Sequence, residues 1–348
     1  MYVKSHSYGE FIFDQAWADF AMRSLGIRYY PKLLMAIPFT PAVGKRIITD
    51  SSLSEKEEKE LIKSMGNFVA NLCKQNGLSG CHVNFMAPEE VDSFVESDYL
   101  LRETIQYRFH NNKPDLEEGV EEKFTDFDDY LTCFKSKRRV AIKRERKSVY
   151  EDQGIRIETI SGNDDRATQE LYNTMYHLYT TTVDKMWGTR YLSQEIFNEW
   201  YSASDDFKKN IIFMVAYDKE DKIVAGTINF LQKPLESDSN HKSKLFGRYW
   251  GCFEELKNLH FEACYYKAIE YCIENEIDYF EPGAGGGSFK YLRGFDPYIV
   301  HSTHYLSSSL LNNAIKDFLE EERQVNTDTA DYLTANSRLK KGSLKNGI

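Results

Sequence analysis

The order of strand and helix patterns in the second half of the chain is the feature that most constrains its fold. This order is a strand, two helices, a three-strand meander, a helix, a buried strand, a glycine-rich loop, a strand and a helix. In that order the segments are 154–160, 166–183, 193–202, 211–217, 223–231, 244–252, 259–273, 277–280, 283–287, 298–306 and 307–321. We therefore predict an α/β (α+β) fold with a mixed, mostly antiparallel sheet flanked by helices.

Length and local composition indicate two halves. The chain has 348 residues, enough for two domains of ordinary size. Residues 111–122 carry five acids, one base, a proline and a glycine, a composition typical of a linker. We therefore expect an N-terminal half at 1–112, an acidic linker at 113–125, a C-terminal domain at 126–323 and a flexible polar tail at 324–348.

Several protein classes are excluded by composition. The most apolar uncharged run, 33–44, contains two prolines, and it is shorter than the roughly 20 residues of a membrane span. The N-terminus lacks the apolar stretch of a signal peptide, which predicts a cytoplasmic protein. The six cysteines include no C-x-x-C pair, so we expect buried free thiols and no metal site.

Short blocks along the chain carry a more specific pattern. They are Ser5–Glu10, Phe13-Asp14, Trp17-Ala18, Tyr29–Leu34, Pro38–Pro41, Phe127–Asp129, Ser136–Arg139, Trp250–Cys252, Glu254-Glu255, Leu259–Glu262, Cys264–Tyr266, Phe280–Ala284 and Arg293–Phe295. Over roughly residues 2–323 the chain resembles the FemAB-like predicted N-acyltransferases, or peptidoglycan biosynthesis/recognition proteins. The order of elements in the second half resembles the GNAT acyltransferase fold. The resemblance implies tandem GNAT-like domains and N-acyl transfer.

Two features depart from the family pattern. Members usually have a further N-terminal segment before the block that begins at Tyr2, so we expect the first half to lack its leading strand. The glycine-rich block usually carries a Glu-His pair before its lysine, whereas this chain reads Gly283-Ala-Gly-Gly-Gly-Ser-Phe-Lys290. An acid–base role for that pair therefore does not transfer to this chain.

The glycine-rich loop is a candidate anion site. Glycines let backbone N–H groups converge on an anion, and two cations follow the loop. A tight connection that needs positive φ is the alternative interpretation. The candidate donor-binding residues of this segment are Gly283, Gly285, Gly286, Gly287, Lys290 and Arg293.

The connection after the meander constrains the acyl donor. Acetyl-CoA users of the GNAT superfamily carry a Gln/Arg-x-x-Gly-x-Gly/Ala signature there, but residues 252–260 contain no glycine and two adjacent glutamates. Acidic side chains at a helix N-terminus repel a pyrophosphate. We therefore expect no tightly bound cofactor, and as co-substrate another acyl-CoA or, by analogy with the Fem transferases, an aminoacyl-tRNA.

Acyl transfer to an amine needs a group that removes a proton from the attacking ammonium. Carboxylates and imidazoles in one desolvated cleft shift each other's pKa values and can supply that base. The alternative is that these groups are helix-terminal charges and packed polar residues. The candidates are Glu255, His260, Glu262, Glu281 and His304.

A basic segment contrasts with the acidic chain. Residues 135–147 carry eight bases and one acid, and subtracting this +7 from the overall −10 leaves −17 for the remainder. Arg138 and Arg139 are the residues that we expect to contact phosphates of a nucleotide-linked donor or of tRNA. A solvated helix face is the alternative.

Together these patterns predict an enzyme that moves an acyl group from a phosphate-bearing donor to a small-molecule or peptide amine. A non-catalytic recognition protein for a cell-wall or nucleotide-linked ligand, with the same fold, is the second hypothesis.

Overall fold

The computed structural model describes residues 1–113, 122–186, 190–234 and 242–335. These residues form two compact units. The first unit comprises Met1–Gln106 and Tyr298–Tyr332, and the second is formed mainly by Tyr107–Pro297. Most of the expected linker at 113–125 lies outside the described residues, as does the chain from residue 336 onward.

The described residues contain ten strands and twelve α-helices. The strands are β1 (Tyr2–Lys4), β2 (Lys32–Met35), β3 (Gly80–Met86), β4 (Leu100–His110), β5 (Arg156–Ser161), β6 (Ile211–Tyr217), β7 (Ile223–Gln232), β8 (Lys244–Cys252), β9 (Tyr279–Glu281) and β10 (Asp296–Leu306). The helices are α1 (Gln15–Asp19), α2 (Glu55–Gln75), α3 (Pro88–Val95), α4 (Phe127–Thr132), α5 (Ser136–Lys147), α6 (Gln169–Met186), α7 (Gln194–Ser202), α8 (Asp205–Lys208), α9 (Leu259–Phe261), α10 (Lys267–Glu274), α11 (Gly287–Tyr291) and α12 (Ser309–Ala335).

The first unit contains a sheet of order β1-β2-β3-β10, in which β2 and β3 are parallel and the other pairs antiparallel. Helix α2 begins at a capping box, where the side chains of Ser54 and Glu57 each accept a hydrogen bond from the other residue's backbone N–H. Ile62 and Val69 of α2 lie in one core cluster with Val83 of β3. One face of this sheet is therefore apolar and covered by α2.

The second unit contains a sheet of order β4-β9-β8-β7-β6-β5, in which β8 and β9 are parallel and the other pairs antiparallel. Tyr172 of α6 and Phe197 of α7 lie in one core cluster with Phe213 of β6. Ile269 of α10 lies in another cluster with Met214, the next residue of β6. Because neighbouring strand residues point to opposite faces, helices cover both faces of this sheet. The mixed, mostly antiparallel α/β fold is confirmed.

The pairing of the last strand differs from the sequence-based expectation. Strand β10 pairs with β3, and its residues from Tyr298 onward belong to the first unit. In the second unit Phe109 and His110 of β4 pair with β9 instead. Each unit therefore completes its sheet with a strand from the other half of the sequence, so the compact units divide the chain differently from the expected boundaries.

The C-terminal helix also extends farther than expected. Residues 324–335, assigned to a flexible tail from sequence, continue α12. Asn326 Nδ2 donates to the Glu103 carbonyl over 2.7 Å, and Ala330 is buried. These contacts explain why a segment of polar composition remains helical; the rest of the expected tail lies outside the described residues.

Three general properties of the described ranges bear on function. None of their helices combines the length and the apolar composition needed to cross a membrane. No group of three or more His, Cys, Asp or Glu in those ranges is arranged to hold a metal ion. All six cysteines are free thiols, four of them buried.

Candidate active site

Strands β8 and β9 pair over a short distance and then part. Lys244 to Phe246 of β8 lie opposite Tyr279 to Glu281, where β9 ends, whereas β8 continues to Cys252. The β8 edge beyond Phe246 is therefore not paired with β9. Its backbone N–H and C=O groups are the kind that hydrogen-bond an extended ligand.

Glu281 occupies the end of β9, where the strands part. One of its oxygens, Oε1, accepts a hydrogen bond from Arg108 Nη2 over 2.6 Å. The other, Oε2, is buried and has no hydrogen-bond partner within the described residues. An unpaired buried carboxylate oxygen is costly, and it is available to a donor group on a ligand.

The glycine-rich loop follows Glu281 and requires its glycines. Gly283, Gly285 and Gly286 have φ values of 82°, 77° and 64°, which residues with a Cβ atom rarely adopt. A Cβ on Gly287 would lie 2.7 Å from Tyr107 Cε2. The conformational interpretation of the loop is therefore sufficient to explain these four glycines.

Lys290 reaches back to this loop. Its side chain is 2% exposed, and Nζ donates to the Gly283 carbonyl. Burial lowers the pKa of Lys290 to about 8. Near neutral pH the Lys290 side chain is therefore a charged ammonium that can readily donate a proton.

The charges of Lys290 and Arg293 both act on His260. Its ring makes edge contacts with Trp250 and Tyr265, at centroid distances of 5.2 and 5.5 Å. Burial, followed by the charges of Arg293 and Lys290, lowers the pKa of His260 to about 4. The imidazole is therefore neutral near pH 7 and weakly basic.

Arg293 is held by internal partners. Its Nη2 donates to Glu145 over 2.9 Å, Nη1 donates to the Phe289 carbonyl, and the guanidinium stacks on Phe261 at 3.4 Å from the ring centroid. Glu145 also pairs with Arg138 at 3.2 Å. The structure thus brings Arg138 and Arg293 together around a carboxylate that offsets their charge.

Sequence comparison places the chain in a family. The family model described as FemAB-like, peptidoglycan biosynthesis/recognition, matches residues 1–341. The chain belongs to the FemAB-like family. A search of curated proteins gave no significant match.

Solved structures similar to this FemAB-like protein are distant. L-PGS from Bacillus licheniformis is 12% identical with a TM-score of 0.42, over 68% of this chain and 70% of the other. The C-terminal domain of a protein assigned as a lysylphosphatidylglycerol synthetase from Agrobacterium fabrum is 11% identical with a TM-score of 0.45, over 85% and 82%. N-myristoyltransferase from Saccharomyces cerevisiae with bound myristoyl-CoA is 13% identical with a TM-score of 0.36, over 75% and 57%.

Glu262 of the FemAB-like protein belongs to an internal ion network. Its carboxylate is 3.0 Å from Arg146 Nη2 and accepts from Tyr150 Oη over 2.9 Å. Arg146 also pairs with Glu270 at 3.2 Å. Burial raises the pKa of Glu262, but the charge of Arg146 and the hydrogen bonds from Tyr150 and Arg146 hold the carboxylate in place. We interpret this network as structural.

Glu255 does not lie in a desolvated cleft, contrary to the expectation from sequence. Its side chain is 75% exposed and pairs with Lys185. The hydrogen bond from Lys185 lowers the pKa of Glu255, the opposite of the shift that a general base near neutral pH requires. The expectation of a desolvated cleft was wrong for Glu255 because the density of charged residues in a sequence does not report their exposure.

His304 belongs to the first unit, whereas the other four candidate bases belong to the second unit. It is fully buried, and its Nδ1 lies 2.7 Å from Nδ1 of His82. Burial places the pKa of His304 well below its usual value. This imidazole is therefore part of the interior of the first unit.

The basic segment is only partly a solvated surface. Arg138 donates through Nε to the Leu292 carbonyl over 2.5 Å, so it is an interior contact. Arg139 is half-buried, whereas Lys137 and Arg144 are exposed on α5. Arg138 is therefore engaged inside the second unit, whereas Lys137 and Arg144 are accessible from solvent.

Sequence reasoning missed Arg108. This residue lies in β4, and it reaches Glu281 because β4 pairs with β9. Arg108 and Glu281 are 173 residues apart in the chain. No local signal could have joined them, since the pairing of two distant strands is not encoded in the alternation of either one.

Proposed function

We propose that the second unit of this FemAB-like protein catalyses transfer of an acyl or aminoacyl group from a phosphate-bearing donor to a primary amine. The observation that carries the proposal is Glu281, whose Oε2 is buried without a hydrogen-bond partner among the described residues. It lies where β9 ends and β8 continues. A carboxylate oxygen in that position suits a proton acceptor for the attacking ammonium.

In the proposed reaction the amine nitrogen attacks the acyl carbonyl carbon. The ammonium first loses one proton to solvent; as the neutral nitrogen forms the new C–N bond, its second proton passes to Glu281, and the C–S bond of a thioester or the C–O bond of an aminoacyl ester breaks. The leaving thiolate or alkoxide takes a proton from the ammonium of Lys290, whose pKa is lowered to about 8. Glu281 and Lys290 then return to their starting states by proton exchange.

Lys290 also suits a role in stabilising the oxyanion. Its charge is solvated by a neutral carbonyl, Gly283, rather than by a carboxylate. A desolvated cation that is not neutralised stabilises developing negative charge more strongly than an ion-paired cation does.

The test is transfer by the full chain from a panel of acyl-CoA thioesters and a panel of aminoacyl-tRNAs to simple primary amines, with products detected by mass spectrometry. Glu281→Gln is expected to lower kcat by roughly 10²- to 10⁴-fold with unchanged circular dichroism. Glu255→Gln is the matched control and should leave kcat unchanged. Full activity of Glu281→Gln, or no product with any donor, would refute the proposal.

The phosphate-bearing donor has its own test. Lys137→Glu combined with Arg144→Glu should weaken donor binding and reduce its salt dependence, because each lost phosphate contact lowers the slope by about one unit. Both side chains are exposed, so the fold should be retained. An unchanged salt slope would mean that α5 presents a solvated face only.

A non-catalytic recognition protein is the second candidate. It is favoured by the acidic connection after β8 and by the internal engagement of Arg138 and Arg293 around Glu145. Native mass spectrometry of the purified protein distinguishes the two: a co-purified ligand that is not converted with any acyl-CoA or aminoacyl-tRNA supports recognition.

A further inference from the structure

The second face of the first unit's sheet is polar and buried. Register places Leu34 opposite His82 and His82 opposite His304, so these positions share a face. Lys32, two residues before Leu34, and Asn84, two residues after His82, share it as well. Lys32, His82, Asn84 and His304 are each at most 1% exposed. Buried sheet faces are normally apolar, so this one needs an explanation.

A hydrogen-bonded chain runs across this face. Ser302 Oγ is 3.0 Å from His304 Nε2, His304 Nδ1 is 2.7 Å from His82 Nδ1, and His82 Nε2 is 3.5 Å from Tyr29 Oη. Tyr29 donates to Asp14 Oδ2 over 2.7 Å. One assignment satisfies every member: protons on His82 Nε2 and His304 Nδ1, with Ser302 as donor. Both imidazoles are therefore neutral in this chain.

The charged groups of the face are the carboxylates of Glu10 and Asp14, the ammonium of Lys32 and, at the edge, the ammonium of Lys4. Lys32 Nζ donates to Ser7 Oγ over 2.8 Å, to Glu10 over 2.9 Å and to Asp14 over 2.5 Å, which uses its three hydrogens. Lys4 Nζ lies 3.7 Å from Glu10 Oε1, beyond hydrogen-bond distance. The two ammonium groups therefore offset the two carboxylates in charge, but Glu10 Oε1 and Asp14 Oδ1 accept no hydrogen bond from either lysine and can accept one from a ligand.

Several groups of this face are buried without a hydrogen-bond partner within the described residues. They are Glu10 Oε1, Asp14 Oδ1 and both amide atoms of Asn84. Asp14 precedes α1 at the N-cap position, yet its side chain makes no capping hydrogen bond, although aspartate there normally does. Each unsatisfied polar group reduces stability. Their concentration on one face points to a ligand that would satisfy them.

The carboxylates lie just beneath the surface. Ser7 is buried, but Ser5, His6 and Tyr8 around it are exposed, Tyr8 by 73%. A small polar ligand that displaces this short segment would meet Glu10 first.

We propose that the polar face of the first unit is a second ligand site, which binds a hydroxylated primary amine such as an amino sugar. The ammonium group donates to Glu10 Oε1 and Asp14 Oδ1, and a hydroxyl group, which both donates and accepts, satisfies the Asn84 amide. This site is independent of acyl transfer in the second unit.

The probe is D-glucosamine, titrated calorimetrically into the full chain. Glucose and N-acetylglucosamine lack the charge, and cyclohexylamine lacks the hydroxyl groups, so each should bind at least roughly tenfold more weakly. Equal affinity for glucosamine and any of these three compounds, or no glucosamine binding, overturns the proposal.

Two substitutions separate binding from stability. Asn84→Leu removes the unsatisfied amide, so it should raise the unfolding midpoint and weaken glucosamine binding by roughly tenfold or more. Thr303→Val is the matched control: Thr303 Oγ1 is also buried without a partner in the described chain, but Thr303 lies opposite Val83, on the α2 face. It should raise the midpoint and leave binding unchanged. A destabilised Asn84→Leu variant, or equal binding effects of the two substitutions, contradicts the assignment.

Discussion

Two buried lysines show how differently the two units use the same side chain. Lys32 in the first unit is fully buried and meets Glu10 and Asp14, whereas Lys290 in the second unit is 2% exposed and meets the Gly283 carbonyl. The ammonium of Lys32 is held by carboxylates. The ammonium of Lys290 is solvated by a neutral group, so burial lowers its pKa to about 8. The two lysines are similarly buried, so what differs is the partner: opposite charge for Lys32 and a neutral carbonyl for Lys290.

The largest expected effect is on the first unit. Lys32→Met leaves the Glu10 and Asp14 carboxylates buried without their cation, and breaking a buried pair in this way costs about 3–5 kcal/mol of unfolding free energy. Urea unfolding followed by circular dichroism measures it. A loss below about 1 kcal/mol would mean that the Lys32 network is not structurally important.

The Lys290→Met substitution should change how the free energy of unfolding depends on pH. Because the pKa of Lys290 falls from 10.5 in the unfolded chain to about 8 in the folded one, the unfolded state binds more protons between those pH values. The wild type therefore gains stability as pH rises from about 8 to about 10.5, and this gain is absent in the variant. Unfolding free energies of the two proteins at about pH 7.5 and 10 test this. Parallel pH profiles would show that Lys290 is not desolvated.

His260 gives a smaller effect at acidic pH. Its pKa is lowered from 6.5 to about 4, so the unfolded chain binds more protons between these values. Stability from the neutral imidazole is complete above about pH 6.5 and is lost as pH falls towards 4. His260→Gln should therefore lose less stability than the wild type between about pH 6.5 and 4, measured by thermal unfolding. An identical loss in both proteins would rule out a buried, neutral His260.

The smallest effect is expected at the surface of the second unit. Glu255→Gln breaks the exposed ion pair with Lys185, and such pairs contribute little. Neither the unfolding midpoint nor its salt dependence should change measurably in differential scanning calorimetry. A clear destabilisation would show that this carboxylate has a role that its exposure does not indicate.

Local features of the fold were predictable from sequence, but distant pairings were not. Helix α2 follows from Ser54, Glu57 and the helical spacing of its apolar residues, all of which act within a few positions. The pairing of β10 with β3 and of β4 with β9 was missed. The alternation of apolar and polar residues in a strand indicates which residues share a face, but not which strand is its neighbour in the sheet.

The candidate site shows the same division. Lys290, Arg293 and the glycine-rich loop are close in sequence, so a local pattern could group them, and the charges of both cations act on His260 in the structure. Arg108 was missed because its partner lies in a distant segment. In the first unit, Glu10 and Asp14 were recognised only as parts of a family motif, since their meeting with Lys32 depends on how the chain between them folds.

The strand exchange has a consequence for the synthesis of the protein. His82 and His304 face each other across β3 and β10, yet 222 residues separate them. During translation β3 is made long before β10, so the β3 edge that pairs with β10 has no partner strand until residues 296–306 have been synthesised. The two halves are therefore not separable modules: a gene divided at the acidic linker would yield two fragments, each with an open sheet edge prone to association with other chains.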